Sequence, residues 1–164
     1  MTEEGVPLSE VTKHPSPFVK WAGGKRQLLA TLESTLPPGF GEKKFRRYAE
    51  PFVGGGALMF HLFKMDLIDE AYISDFNKEL VLAYQCLKQD VEGVISQLTM
   101  IQDDYDSREE KSSDIKDMYF EKRTAFNDAI HTIERTKYCE EWCEHTALFI
   151  FLNKTGFNGL FRVN

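Results

Sequence analysis

Three consecutive glycines, Gly54-Gly55-Gly56, follow the segment Tyr48-Ala49-Glu50-Pro51-Phe52-Val53, and a helical pattern begins at Ala57. Glycine has no Cβ. A strand, a glycine turn and a helix in that order let the backbone approach a nucleotide-like ligand while helix-start amides face it. A second strand, Ala71 to Ser74, ends at Asp75. That is about 20 residues after the glycines, the interval at which a carboxylate accepts hydrogen bonds from ribose hydroxyls. The charge of such an acid also selects ribose over phosphate. The same residues fit a plain glycine turn and an aspartate capping the helix that starts at Phe76 and Asn77. The second strand and the acid in register favour the ligand.

Other constellations are weaker. Gly24-Lys25 is not a phosphate loop, because Arg26 follows in place of Ser or Thr and Val19 occupies the position of the earlier glycine. Cys139, Cys143 and His145 are zinc-ligand types, yet C-x3-C-x-H on one helix offers no clear fourth ligand, so buried or half-exposed thiols are expected. Asp103-Asp104-Tyr105-Asp106 lacks the glycine and terminal glutamate of a calcium-binding EF-hand loop. A solvated acidic loop is expected there.

The elements that must position these groups follow from periodicity and breakers. Residues 1–16 are expected to form a flexible leader. Leu28, Leu29 and Leu32 predict a short helix over Lys25 to Thr35, ended by Pro37-Pro38-Gly39. Lys43 to Phe52 reads as a strand, Ala57 to Met65 as a helix and Glu70 to Ser74 as a strand. Asn77 to Gln89 is a helix with Leu80, Val81, Tyr84 and Leu87 on one face, and Val91 to Ile101 continues with Val94, Ile95 and Leu98 inward. Residues 102–114 read as a loop or a solvated face. Ile115 to Ile133 is a helix with Met118, Tyr119, Ala125, Phe126 and Ile130 as core positions. Trp142 to Leu152 is a buried helix, and Asn153 to Asn164 a loop.

The chain has 164 residues, 42% of them apolar and 28% charged, which is ordinary globular usage and excludes wholesale disorder or a disulfide scaffold. No apolar run approaches the roughly 20 residues of a membrane span. The acidic start is not a signal peptide, and three cysteines are an odd count, so reduced thiols and a cytoplasmic location are expected. The net charge of −6 is uneven: Ile101 to Glu121 holds eight acids against three bases, whereas residues 1–60 hold eight bases against six acids. A local basic face is therefore compatible with an acidic chain.

Four ordered blocks, FVKWAGGKRQLL (Phe18 to Leu29), EPFVGGGALMF (Glu50 to Phe60), ISDFNKEL (Ile73 to Leu80) and FLNKTGFNGLFRVN (Phe151 to Asn164), resemble the motifs of Dam-type (D12 class) adenine-specific DNA methyltransferases. The resemblance implies S-adenosylmethionine as cofactor, double-stranded DNA as partner, and methyl transfer to the exocyclic amine of adenine. It implies an α/β fold: an incomplete Rossmann-like methyltransferase core over residues 17–88, with a mainly helical target-recognition segment over 89–164. The implied cofactor residues are Trp21, Lys25, Phe52, Gly54, Gly55, Gly56 and Asp75. Trp21 would present an electron-rich face to the sulfonium, Lys25 would meet the cofactor carboxylate, and Asp75 would hold the ribose. The implied DNA-binding residues are Lys20, Phe157, Asn158, Leu160 and Arg162, the arginine being suited to a bidentate pair with a guanine edge.

The family's catalytic motif, Asp-Pro-Pro-Tyr, does not occur. The only Pro-Pro is Pro37-Pro38, between Leu36 and Gly39. The target amine is a poor nucleophile, so without that acceptor pair the chain is expected not to methylate alone. No catalytic residue is assigned. A parallel sheet is normally covered on both faces, so either a complementary carboxy-terminal chain or self-association is expected to cover the sheet. A non-catalytic DNA- or cofactor-binding remnant or regulatory module is the alternative. A methyltransferase acting on RNA or a small molecule is disfavoured by the NKTGFNGLFRVN block.

Overall fold

The computed structural model describes residues 15–40, 42–108 and 112–156. Among these, a 3-10 turn over Lys25–Leu28 leads into helix α1 (Leu29–Ser34), and strand β1 (Phe45–Pro51) follows. Helix α2 (Ala57–Lys64) connects β1 to strand β2 (Ile68–Ser74). The two strands pair in parallel, with Phe45 opposite Ile68 and Pro51 opposite Ser74. A parallel pair needs a crossover rather than a hairpin, and α2 supplies it. The chain is thus mixed α/β, with a small parallel sheet.

Four helices complete the described chain: α3 (Lys78–Gln89), α4 (Val91–Ser107), α5 (Ser112–Ile130) and α6 (Glu141–Thr155). Asn77 caps α3 by accepting from the Leu80 amide, and Asp90 caps α4 by accepting from the Gly93 amide. From Ala147 to Leu152 helix α6 is apolar on every side, and it contacts α3, α4 and α5. All-round hydrophobicity marks a central helix, and its Ala147 and Phe149 are fully buried. One core runs from Val19 through Leu80, Leu82, Ala83 and Val94 to Met118, Phe126 and Phe149.

Several elements differ from the sequence reading. Helix α4 extends to Ser107 because its acidic end is a solvated helical face rather than a loop: Asp104 takes Arg108 Nε at 2.9 Å and Lys122 Nζ at 2.9 Å. Helix α6 continues to Thr155, so Asn153 is helical and wholly buried rather than part of a loop. Val94 and Ile101 turn inward on α4, which rotates Ile95 toward solvent. Ala125 is likewise exposed. Among the described residues no helix is long and apolar enough to cross a membrane.

A buried charged cluster ties α3 to α6. The Glu79 carboxylate meets Arg135 Nη2 at 2.7 Å and His145 Nε2 on its other oxygen. His145 in turn stacks on Phe126, ring centroids 4.4 Å apart. Burial alone would push the Glu79 carboxyl up, but the hydrogen bonds from His145 and Arg135 outweigh it and hold it below the ordinary glutamate value. A depressed carboxylate contributes stability that is complete above its unfolded value and is lost as pH falls through the folded one.

Two outcomes follow. Phe149→Ala removes a fully buried ring and is expected to cost about 3–5 kcal/mol, read as a lower urea midpoint at unchanged slope. Glu79→Gln is expected to flatten the fall in stability that the native chain shows below roughly pH 5, measured by urea titration across that range.

Candidate functional site

The carboxyl ends of β1 and β2 lie side by side, and the residues after them form one cluster. Asp75 follows β2. Its Oδ2 accepts the Gly54 amide at 2.9 Å, and its Oδ1 accepts the Asn77 amide at 3.0 Å. The glycine loop and the acid are therefore in direct contact. Each carboxylate oxygen offers about two lone-pair directions, so each keeps acceptor capacity toward solvent. In open α/β sheets the crevice beyond the carboxyl ends of the strands is the usual place for a ligand.

The glycines are constrained by their neighbours. A Cβ on Gly54 would lie 3.0 Å from Trp21 Cδ1, one on Gly55 would lie 3.2 Å from the Val19 carbonyl oxygen, and one on Gly56 would lie 2.6 Å from the Tyr84 hydroxyl. Gly54 and Gly56 also have positive φ, 53° and 74°. The loop is thus pressed between the Val19–Trp21 segment and α3, with glycine required for packing as well as conformation. Tyr84 donates to the Gly54 carbonyl at 3.1 Å. Its phenol is pushed well above the ordinary tyrosine value, first by burial and then by the charges of Glu50 and Asp75, so it remains a donor.

Lys25 reaches the loop from the 3-10 turn. Its Nζ contacts Glu50 Oε1 at 2.6 Å and donates to the Phe52 carbonyl at 3.0 Å. Phe52 has φ 60°, an uncommon backbone for a bulky residue, which this lysine helps to hold. The Phe52 side chain is 60% exposed and lies 5.3 Å, centroid to centroid, from Phe76, which is 85% exposed. Two large apolar rings turned to solvent beside an acid and a glycine loop are a natural wall for a flat heterocycle. Trp21 is half-buried between Gly54 and Phe149 of α6, ring centroids 6.2 Å from the latter.

Trp21, Lys25, Phe52, Gly54, Gly55, Gly56 and Asp75 therefore gather at one place. Lys20 is exposed on the neighbouring segment. Phe157, Asn158, Leu160 and Arg162 lie outside the described residues. Three further residues belong to the cluster and escaped the sequence reading as site residues: Glu50, Phe76 and Tyr84. Glu50 is buried, and its Oε2 has no hydrogen-bond partner among the described residues. Its signal was an acid four residues before a glycine turn, and that of Phe76 an aromatic directly after the strand-end acid.

The chain belongs to the D12 class N6 adenine-specific DNA methyltransferase family, whose model matches residues 21–164. It is 41% identical over 148 residues to the type II methyltransferase M.MjaIII of Methanocaldococcus jannaschii, covering 90% of this chain and 48% of that protein. It is 35% identical over 148 residues to the type II methyltransferase M1.LlaDCHI of Lactococcus lactis subsp. cremoris, covering 90% and 44%. It is 31% identical over 159 residues to the DNA adenine methylase of Haemophilus influenzae, covering 96% and 46%. The chain thus spans about half the length of the curated relatives it matches. No solved structure matches it.

The loop geometry predicts a contrast between two alanine substitutions. Gly23 and Gly56 both have positive φ, but a Cβ on Gly23 meets nothing within 4 Å. Gly23→Ala is expected to cost only the left-handed backbone term, about 1–2 kcal/mol. Gly56→Ala adds the clash with Tyr84, Phe60 and Met59 and is expected to cost more, as compared by urea midpoints.

Proposed function

We propose that this chain binds S-adenosylmethionine and serves a site-specific DNA adenine methyltransferase that acts on the exocyclic amine of adenine in double-stranded DNA. The observation that carries the reading is the direct bond between the Gly54 amide and the Asp75 carboxylate, beside the exposed Phe52–Phe76 pair. Family membership supplies the reaction class.

The residues present fit the cofactor. The remaining lone pairs of Asp75 suit ribose hydroxyls, and the two phenylalanine rings suit the adenine. The buried Glu50 carboxylate, whose Oε1 is taken by Lys25, suits an ammonium group at its Oε2. Lys25 uses two of its three donor directions on Glu50 and Phe52. The third remains for a carboxylate. Trp21 suits a sulfonium. S-adenosylmethionine, when bound, supplies an electrophilic methyl on that sulfonium. The chain's own residues bind and orient.

On the DNA side, Lys20, Phe157, Asn158, Leu160 and Arg162 are proposed to engage the duplex, with Phe157 entering near the displaced base and Arg162 reading a guanine edge. Residues 89–164 form the recognition segment of this scheme, and 17–88 the cofactor part of a Rossmann-like core. No Asp-Pro-Pro-Tyr occurs in the sequence, so the acceptors for the amine come from other residues, on a complementary carboxy-terminal segment. The exposure of Tyr72 on β2 supports a covering partner. The second reading is a non-catalytic DNA- or cofactor-binding module.

Isothermal calorimetry with S-adenosylmethionine tests the site. Saturable heat is expected, with Asp75→Ala and Phe76→Ala each weakening affinity at least tenfold; no heat at high micromolar protein sinks the reading. Methyl transfer to duplex adenine is expected only after a carboxy-terminal complement bearing Asp-Pro-Pro-Tyr is added. Cofactor binding without transfer in that mixture favours the non-catalytic module.

A further inference from the structure

Helix α6 is apolar from Ala147 to Leu152, and then places an asparagine in the core. Asn153 has no exposed surface. A buried amide is costly unless its donors and acceptor are used. This one spends them on a single residue far away in sequence: its Oδ1 accepts the Lys20 amide at 2.8 Å, and its Nδ2 donates to the Lys20 carbonyl at 2.7 Å. Taking both main-chain groups of one residue is what a neighbouring strand does in a hydrogen-bonded antiparallel pair. Here a side chain takes the place of the strand.

The clamp fixes more than Lys20. Burial alternates along the segment, with Val19 buried, Lys20 exposed and Trp21 half-buried. Once the Lys20 backbone is set, the directions of the flanking side chains follow. Phe149, one helical turn before Asn153, packs toward Trp21. The same indole lies against Gly54, where an added Cβ would come 3.0 Å from Trp21 Cδ1. Helix α6 thus holds residues 20 and 21 at two points, one polar and one aromatic.

We infer that Asn153 is a positioning residue: by clamping the Lys20 backbone it places the Trp21 indole against the cofactor loop and turns the Lys20 ammonium outward toward DNA. The cofactor and DNA consequences rest on the function proposed above; the placement of Trp21 does not. Asn153 touches neither ligand and acts through residues 20 and 21.

The test uses the full chain labelled with 5-fluorotryptophan, whose two fluorine resonances report Trp21 and Trp142 separately. Asn153→Asp keeps the acceptor and loses the donor. Asn153→Ser leaves room for water to bridge both backbone groups. Each is expected to shift or broaden the Trp21 resonance while leaving Trp142 in place. Calorimetry is expected to show S-adenosylmethionine binding weakened at least fivefold by Asn153→Asp. In a Trp21→Ala background the same change is expected to alter affinity less than twofold, because the indole through which it acts is gone. A general loss of stability would weaken binding in both backgrounds. An unmoved Trp21 resonance, collapse of both resonances in both variants, or equal losses of affinity with and without Trp21 overturns the inference. If the native chain binds no S-adenosylmethionine, the proposed function falls, and the fluorine spectra alone decide the role of Asn153.

Discussion

The bond from the Gly54 amide to the Asp75 carboxylate joins the ends of two parallel strands, and the candidate site is arranged around it. Parallel pairing fixes which residues finish together: Pro51 stands opposite Ser74, so the loops after them leave the sheet at the same level. The Val53 amide extends the ladder by one more bond, to the Ser74 carbonyl at 3.0 Å. Asp75 can then accept across the gap without a long reach. A one-residue slip in register would reverse every side chain on one strand and carry the carboxylate away from the loop.

Helix α6 is the second organising element. It is the shared neighbour of α3, α4 and α5, and it also holds the segment that carries Lys20 and Trp21. Its burial on all sides explains how a short amino-terminal stretch with little secondary structure of its own becomes ordered next to the glycine loop. The thiols belong to the same packing. Cys86 of α3 and Cys143 of α6 lie 3.8 Å apart, and burial pushes the Cys86 thiol up to about 12, which keeps it protonated. They behave as small core residues of the α3–α6 contact.

Much of this was legible in the amino-acid pattern. The glycine turn, the strand-end acid and the start of α3 follow from local chemistry: absence of Cβ, β-propensity and an asparagine cap. The extension of α4 was not, because the ion pairs that stabilise its acidic end come from Lys122 and Glu121 on α5, which sequence periodicity cannot bring near. The end of α6 was missed for a related reason. Asn, Lys, Thr and Gly together suggest a loop, and only the distant Lys20 backbone makes Asn153 acceptable inside a helix. Glu50 was hidden because its burial and its bond to Lys25 arise only in the folded chain, and Phe76 because nothing local distinguishes an exposed phenylalanine from a core one.

Tyr84 has a consequence beyond the packing of one loop. Before any ligand arrives, the Gly54 amide is held by Asp75, the Gly54 carbonyl by Tyr84 and the Phe52 carbonyl by Lys25. Three main-chain groups of the loop are already immobilised by side chains from three separate elements. A molecule docking there meets a preorganised surface and forfeits little conformational freedom of the protein. The entropic penalty of association then falls mainly on the incoming molecule's own rotatable bonds.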